Sequence, residues 1–254
     1  MVTKLSEKQQ SSPSTGGKSA TKWIMTLLSS SIGQKFVMGI TGLLLCGFLV
    51  VHLAGNLLVY VGADAYNEYA HKLHSMMLLP VAEVGLFLLL FAHIALAFKL
   101  TRDNRRAREV SYREPQSKIQ EKPSLFSQTP MGNTSSWMFI SGSIILAFLV
   151  IHMIDMKLHW NPGVDYSVET PEGVVEASPY SIIIQVLGSI TAPFYIVGTI
   201  VLGFHLSHGF WSAFQSLGLN HPKYMPWIKK LAILFAAVIA VGFASLPIWG
   251  FFIH

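Results

Sequence analysis

Apolar residues fall in five long blocks separated by polar stretches. The blocks cover residues 36–60, 77–100, 137–156, 181–211 and 228–252, each about as long as the roughly 20 residues a helix needs to cross a bilayer core. The pattern predicts an all-α, polytopic membrane protein, with five transmembrane helices in a domain over residues 22–254. Residues 1–21 are polar and rich in Ser, Gly and Gln, too poor in apolar side chains to build a core, and are expected to form a disordered tail. Nothing in them resembles a secretory signal, so the first helix is expected to remain as an anchor. The fourth block is the longest and holds Pro193, which predicts tilt or a kink there.

Composition agrees with a lipid solvent. The chain is 52% hydrophobic and 12% charged, about half the roughly 25% charge of a soluble domain. The net charge of +5 does not make a nucleic-acid surface, because the basic residues lie in loops between apolar blocks. The single cysteine, Cys46, sits inside an apolar run, so neither a disulfide framework nor a thiolate metal site is expected.

Loop charge predicts orientation. Lys4, Lys8, Lys18, Lys22 and Lys35 precede or open the first block. Lys99, Arg102, Arg105, Arg106, Arg108, Arg113, Lys118 and Lys122 lie over 99–135, and Lys223, Lys229 and Lys230 over 212–230. The alternate loops hold only Lys72 and Lys157, and the 155–180 loop carries Asp155, Asp165, Glu169, Glu172 and Glu176. Sixteen of eighteen basic residues thus fall on one side, which predicts a cytoplasmic N-terminus and an external C-terminus. Tyr60, Trp137, Trp160, Trp211, Trp227 and Trp249 fit interfacial belts. Gly39 and Gly42 on the first helix, and Ala236, Ala240 and Ala244 on the fifth, suit close helix packing or the approach of a flat macrocycle.

Four histidines lie inside apolar blocks, each on its own helix: His52, His93, His152 and His205. An intramembrane ionisable group without a partner is costly, so four of them point to ligation. Chain direction sorts them by depth. His52 and His152 follow their helix starts by sixteen and fifteen residues, about 22–24 Å from the cytoplasmic end. His93 and His205 precede their helix ends by seven and six residues, about 9–11 Å from that end. Two layers of two imidazoles, roughly 10–15 Å apart, suit two haems, each iron held by a histidine on either side. A zinc or copper site wants three or four donors at one depth, and no carboxylate or thiol accompanies either pair. With both axial positions filled, such a cofactor carries electrons rather than oxygen. His208, three residues beyond His205 and on nearly the same face, is the rival ligand, and depth favours His205. His71, His74, His159, His221 and His254 read as solvated or interfacial.

At these residues the chain resembles the haem-containing membrane anchor of succinate:quinone oxidoreductases, in the bacterial two-haem, single-subunit group that includes fumarate reductases. The resemblance is carried by H-L-A-G-N (52–56), G-A-D-A-Y-N-E-Y-A-H (62–71), A-H-I-A-L-A-F (92–98) and V-I-H-M (150–153). It is strongest over F-Y-I-V-G (194–198) and F-H-L-S-H-G-F-W-S-A-F-Q-S-L-G (204–218). It covers about residues 30–220 and places the fourth ligand on His205. It implies a subunit of the bacterial cytoplasmic membrane that anchors a flavoprotein and an iron–sulfur subunit on the cytoplasmic face. Electrons would pass by an inner haem b (His93, His205) and an outer haem b (His52, His152) to menaquinone or ubiquinone, or in reverse in a fumarate reductase. Succinate chemistry would belong to the partners, with no catalytic residue on this chain. Menaquinol-oxidising members carry a carboxylate two positions before the fourth ligand, associated with proton movement. Here that position is Gly203, so that route is not expected.

Asp64, Tyr66 and Glu68 are candidate quinone contacts, with an ordinary solvated loop as the plain alternative. Ser31, Gln34 and Lys35 could meet propionates, quinone or headgroups, and the arginines of 102–108 a soluble partner. The competing functions are a di-haem anchor of a hydrogenase or formate dehydrogenase, and a haem-free transporter with histidine proton relays. The last would want intramembrane carboxylates, and Glu83 is the main candidate.

Overall fold

The computed structural model describes residues 20–106 and 134–253. The tail expected over 1–21 therefore lies outside the described residues, except for its last two, which open α1 (Ala20–Ser29). Arg108, Arg113, Lys118, Lys122 and His254 also lie outside them.

Among the described residues five helices are long and apolar enough to span a bilayer: α2 (Ser31–Asn56), α4 (Leu79–Arg106), α5 (Thr134–Met156), α7 (Ala192–Ser216) and α8 (Met225–Ile253). The chain is a multi-pass, helical membrane protein. Ser30 caps α2, its hydroxyl accepting from the Gly33 amide at 3.0 Å. A short 3₁₀ turn, Leu57–Tyr60, continues α2. Gly62, at φ 127°, then turns the chain into α3 (Ala63–His74) in a conformation that L side chains rarely adopt. Large apolar side chains such as Leu88 and Phe91 are 66 and 72% exposed. In water such a face would be an interaction patch; in lipid it is an outward surface.

Contacts fix which helix ends lie together. Lys99 on α4 reaches Gln34 on α2, Arg105 on α4 lies over Phe139 on α5, Gly39 packs on Ala213 of α7, and Lys229 of α8 lies over Trp211. This is the basic end. At the other, acidic end Tyr60 meets Ser245 and Trp249 of α8, Lys157 after α5 pairs with Glu83 of α4, and Tyr195 of α7 meets Asp155 of α5. The basic residues described, Lys72 and Lys157 apart, thus collect at one end. Those two lysines are each ion-paired, with Glu68 and Glu83.

The fourth apolar block is two helices, not one kinked helix. It divides into α6 (Pro179–Gly188) and α7, broken at residues 189–191. Pro193 lies in the first turn of α7, where a missing amide costs nothing. α6 opens on a Ser178 cap with Pro179 at its first turn. The acidic loop before it folds into an antiparallel hairpin, β1 (Ser167–Thr170) with β2 (Gly173–Glu176), a small departure from an all-helical chain.

The buried core lies among α2, α6, α7 and α8, with Leu53, Val186, Leu206, Ile239 and Leu246 at its centres. Small residues serve close approach. A Cβ on Gly203 would stand 2.7 Å from Ala240 Cβ, and one on Gly39 3.2 Å from the Ala213 carbonyl. No residue of α4 is fully buried; it leans on α2 and touches α5 only sparsely.

Candidate functional site

His52 and His152 face each other. Their ring centres are 5.9 Å apart with planes at 80°. Aromatic rings surround them: Phe48 stacks on His52 at 5.1 Å, Phe243 lies 5.6 Å from it, and Phe148 and Tyr195 stand 6.0 and 5.9 Å from His152. Asn56, one turn beyond His52, donates to the His52 carbonyl at 2.8 Å, and its amide nitrogen lies 3.5 Å from the ring Nδ1. The Nδ1 of His152 is buried and meets no hydrogen-bond partner among the described residues.

His93 and His205 lie within electrostatic reach of one another, toward the basic end. Each is held by a hydroxyl of a neighbouring helix. Thr41 Oγ1 of α2 is 3.0 Å from His93 Nδ1, and Ser141 Oγ of α5 is 3.0 Å from His205 Nδ1. Each hydroxyl also lies within bonding distance of the carbonyl three residues back: Met38 at 3.1 Å and Met138 at 3.2 Å. When its hydrogen goes to that carbonyl the hydroxyl accepts from Nδ1–H of the ring, the tautomer that leaves the Nε2 lone pair free; when it goes to Nδ1 the tautomer is the reverse. Glycine lies against both rings: a Cβ at Gly42 would stand 3.3 Å from His93 Cε1, and one at Gly142 3.5 Å from His205 Cε1.

The donor set is paired imidazoles. Among the described residues no three of His, Cys, Asp and Glu gather as a metal cluster. His208 turns elsewhere, with its ring 4.8 Å from Trp211, which in turn lies under Lys229 of α8. His159 stacks on Tyr166 at 4.5 Å, and His221 lies 5.5 Å from Tyr224.

Asp155 is not a solvated loop acid. It occupies the last turn of α5, three residues beyond His152, and is 1% exposed. Tyr195 donates to its Oδ2 at 3.1 Å, the Asn161 amide donates to its Oδ1 at 3.1 Å, and Tyr166 donates to its backbone carbonyl at 2.9 Å. Asn161, 4% exposed, also lies within bonding distance of Ser189 and Thr191 at the α6–α7 break. Asp155, Thr41 and Ser141 escaped the sequence reading. The available signal was a polar residue inside or closing an apolar block, a position where an unpartnered group is expensive.

The candidate quinone contacts are dispersed. Asp64 and Glu68 are exposed, and Lys72, hydrogen-bonded to Glu68, holds that carboxyl below the usual range. Burial, with Tyr69 nearby, pushes the Tyr66 phenol up to about 12, so it stays a neutral O–H; its ring lies 6.3 Å from that of Tyr180. At the basic end Gln34 is 4% exposed and committed, donating to the Ser29 carbonyl and accepting from Lys99, each at 2.9 Å. Ser31 and Lys35 are exposed. Glu83, the candidate intramembrane carboxylate, is paired with Lys157 at 2.9 Å. No protein-family model, curated protein or solved structure matches the chain.

Proposed function

We propose that the chain is the di-haem cytochrome b anchor of a succinate:quinone oxidoreductase, with one haem between His52 and His152 and the other between His93 and His205. The observation that carries this reading is the facing pair His52 and His152, with His93 and His205 within electrostatic reach of each other on two further helices. Two imidazoles on opposite sides of one iron stand roughly 6 Å apart, centre to centre, and His52 and His152 stand at 5.9 Å. Residue chemistry fits the group. A Thr41 or Ser141 hydroxyl that accepts from Nδ1–H leaves Nε2 of His93 or His205 to ligate, the outer-shell bond usual for ligating histidines. Gly42 and Gly142 keep bulk away from those rings. When bound, the haems supply one-electron carriers across the bilayer.

The chain's own residues do the rest. The histidines bind and orient, Phe48, Phe148 and Phe243 keep water from the acidic-end pair, and the basic end offers cations to a flavoprotein and iron–sulfur partner. Succinate versus fumarate as physiological substrate is a property of those partners.

A dithionite-reduced minus oxidised spectrum of the purified chain tests the haem reading. Two b-type contributions are expected, and their absence overturns it. Co-purification tests the partner: flavin and iron–sulfur proteins support the assignment, whereas a nickel or molybdenum protein transfers the anchor to a hydrogenase or formate dehydrogenase.

A further inference from the structure

Between α4 and α5, at the basic end, lies a cleft of about 310 Å³ lined by Phe98, Thr101, Arg102, Arg105, Arg106 and Phe139. We propose that it binds the phosphate headgroup of an anionic lipid. The proposal is independent of whether the histidines hold haem.

The five α4 residues recur at three- and four-residue spacing, so they form one helical face. Along that face the chemistry changes from apolar to cationic. Phe98 meets Phe139 edge to face, 5.3 Å apart at 88°, and stands between the histidine layer and the arginines. The two rings make an apolar floor under a guanidinium rim. Arg105 is held in that rim by the Phe139 ring, 5.2 Å from its centre.

Among the described residues the rim keeps an excess of positive charge, with Asp103 also within electrostatic reach of Arg106. The only described carboxylate nearby, Asp103, is shared: Lys99 reaches it at 2.9 Å and Arg102 at 3.9 Å. Among the described residues no carboxylate lies within ion-pair distance of Arg105 or Arg106. Guanidinium forks match phosphate oxygens two at a time. A cleft with an aromatic floor and an arginine rim, between two membrane helices at their basic end, suits a headgroup whose acyl chains run along the lipid-facing helices. Free phosphate shares the headgroup chemistry but makes no use of the floor. Lys230, on the same end, lies over Trp227 at 4.7 Å and is not part of this cleft.

The test uses the full chain in nanodiscs of equal parts phosphatidylglycerol and phosphatidylcholine, with retained lipid identified by native mass spectrometry. The wild type is expected to retain phosphatidylglycerol over phosphatidylcholine. Arg102→Gln with Arg105→Gln and Arg106→Gln should weaken that retention at least about tenfold. The exposed single change Arg106→Gln, which threatens no packing, should weaken it severalfold. A control pair, Lys223→Gln with Lys230→Gln, should leave it unchanged, and millimolar inorganic phosphate should not displace the lipid. Wild-type retention in the arginine variants, an equal loss in the lysine control, or equal retention of both lipids overturns the site. Displacement by inorganic phosphate overturns the lipid as its occupant.

Discussion

Tyr195 donates its phenolic hydrogen to Asp155 across 3.1 Å, and both residues are buried. The contact ties the start of α7 to the end of α5, beside His152. Because Asn161 donates to the second carboxylate oxygen, removing the carboxylate takes the acceptor from the Tyr195 hydroxyl and leaves the Asn161 amide only Ser189 and Thr191. Asp155→Ala is expected to destabilise the protein by about 2–4 kcal/mol, and Asp155→Asn by less. Thermal unfolding in detergent, followed by far-UV circular dichroism, measures both. Equal and small losses would show the network to be incidental.

His205 and His208 should separate cleanly. His205 lies beside Ser141 and within reach of His93, whereas the His208 ring lies against Trp211. His205→Ala should abolish one of two b-type spectral contributions and His208→Ala should keep both. The opposite result transfers the ligand to His208.

The hydroxyls behind His93 and His205 should set potential rather than occupancy. In the haem-bound form proposed, a hydroxyl that accepts from Nδ1–H makes the imidazole a stronger donor and favours ferric iron. Thr41→Val or Ser141→Ala removes a hydrogen bond of about 1 kcal/mol, so the midpoint of the basic-end haem should rise by a few tens of millivolts. The other haem should not move. A potentiometric titration reports both.

Gly198 and Gly203 should tolerate no side chain, for separate reasons. A Cβ at Gly198 would lie 2.4 Å from Phe148 Cγ, near the base of that ring, and one at Gly203 would strike Ala240 of α8. Gly198→Ala and Gly203→Leu should each cost about 1–3 kcal/mol. Phe148→Ala, which removes the clashing atoms, should lessen the cost of the first change when the two are combined and leave the second unaltered. Recovery of both would mean that α5 and α8 pack as one unit.

The five spans and the charge asymmetry were legible because lipid imposes them on composition: span length follows from bilayer thickness and loop cations from topology. The α6–α7 break was not. Hydropathy is blind to it, since residues 181–211 remain apolar across Ser189–Thr191 and Pro193 is equally at home in a kink or a first turn. The histidines stood out as ionisable groups in apolar blocks. Thr41 and Ser141 did not, because a hydroxyl can satisfy itself on its own helix, and only three-dimensional placement shows that each serves a ring on another. Asp155 stands where the third block, which ends at 156, meets the acidic loop; counted with the loop's acids, its burial against Tyr195 and Asn161 was not legible from polarity alone.

α6 holds ten residues, about 15 Å of helix, half of what a crossing needs, so the break after it opens backbone and hydroxyl groups toward the interior. Asn161 fills that opening with its amide, between Asp155, Ser189 and Thr191. The loop that carries Asn161 is therefore a plug as much as a connection. By occupying polar groups that water would otherwise solvate, it keeps the permittivity around His152 low, and a charge placed on that ring is felt farther across the bundle than one in a hydrated pore.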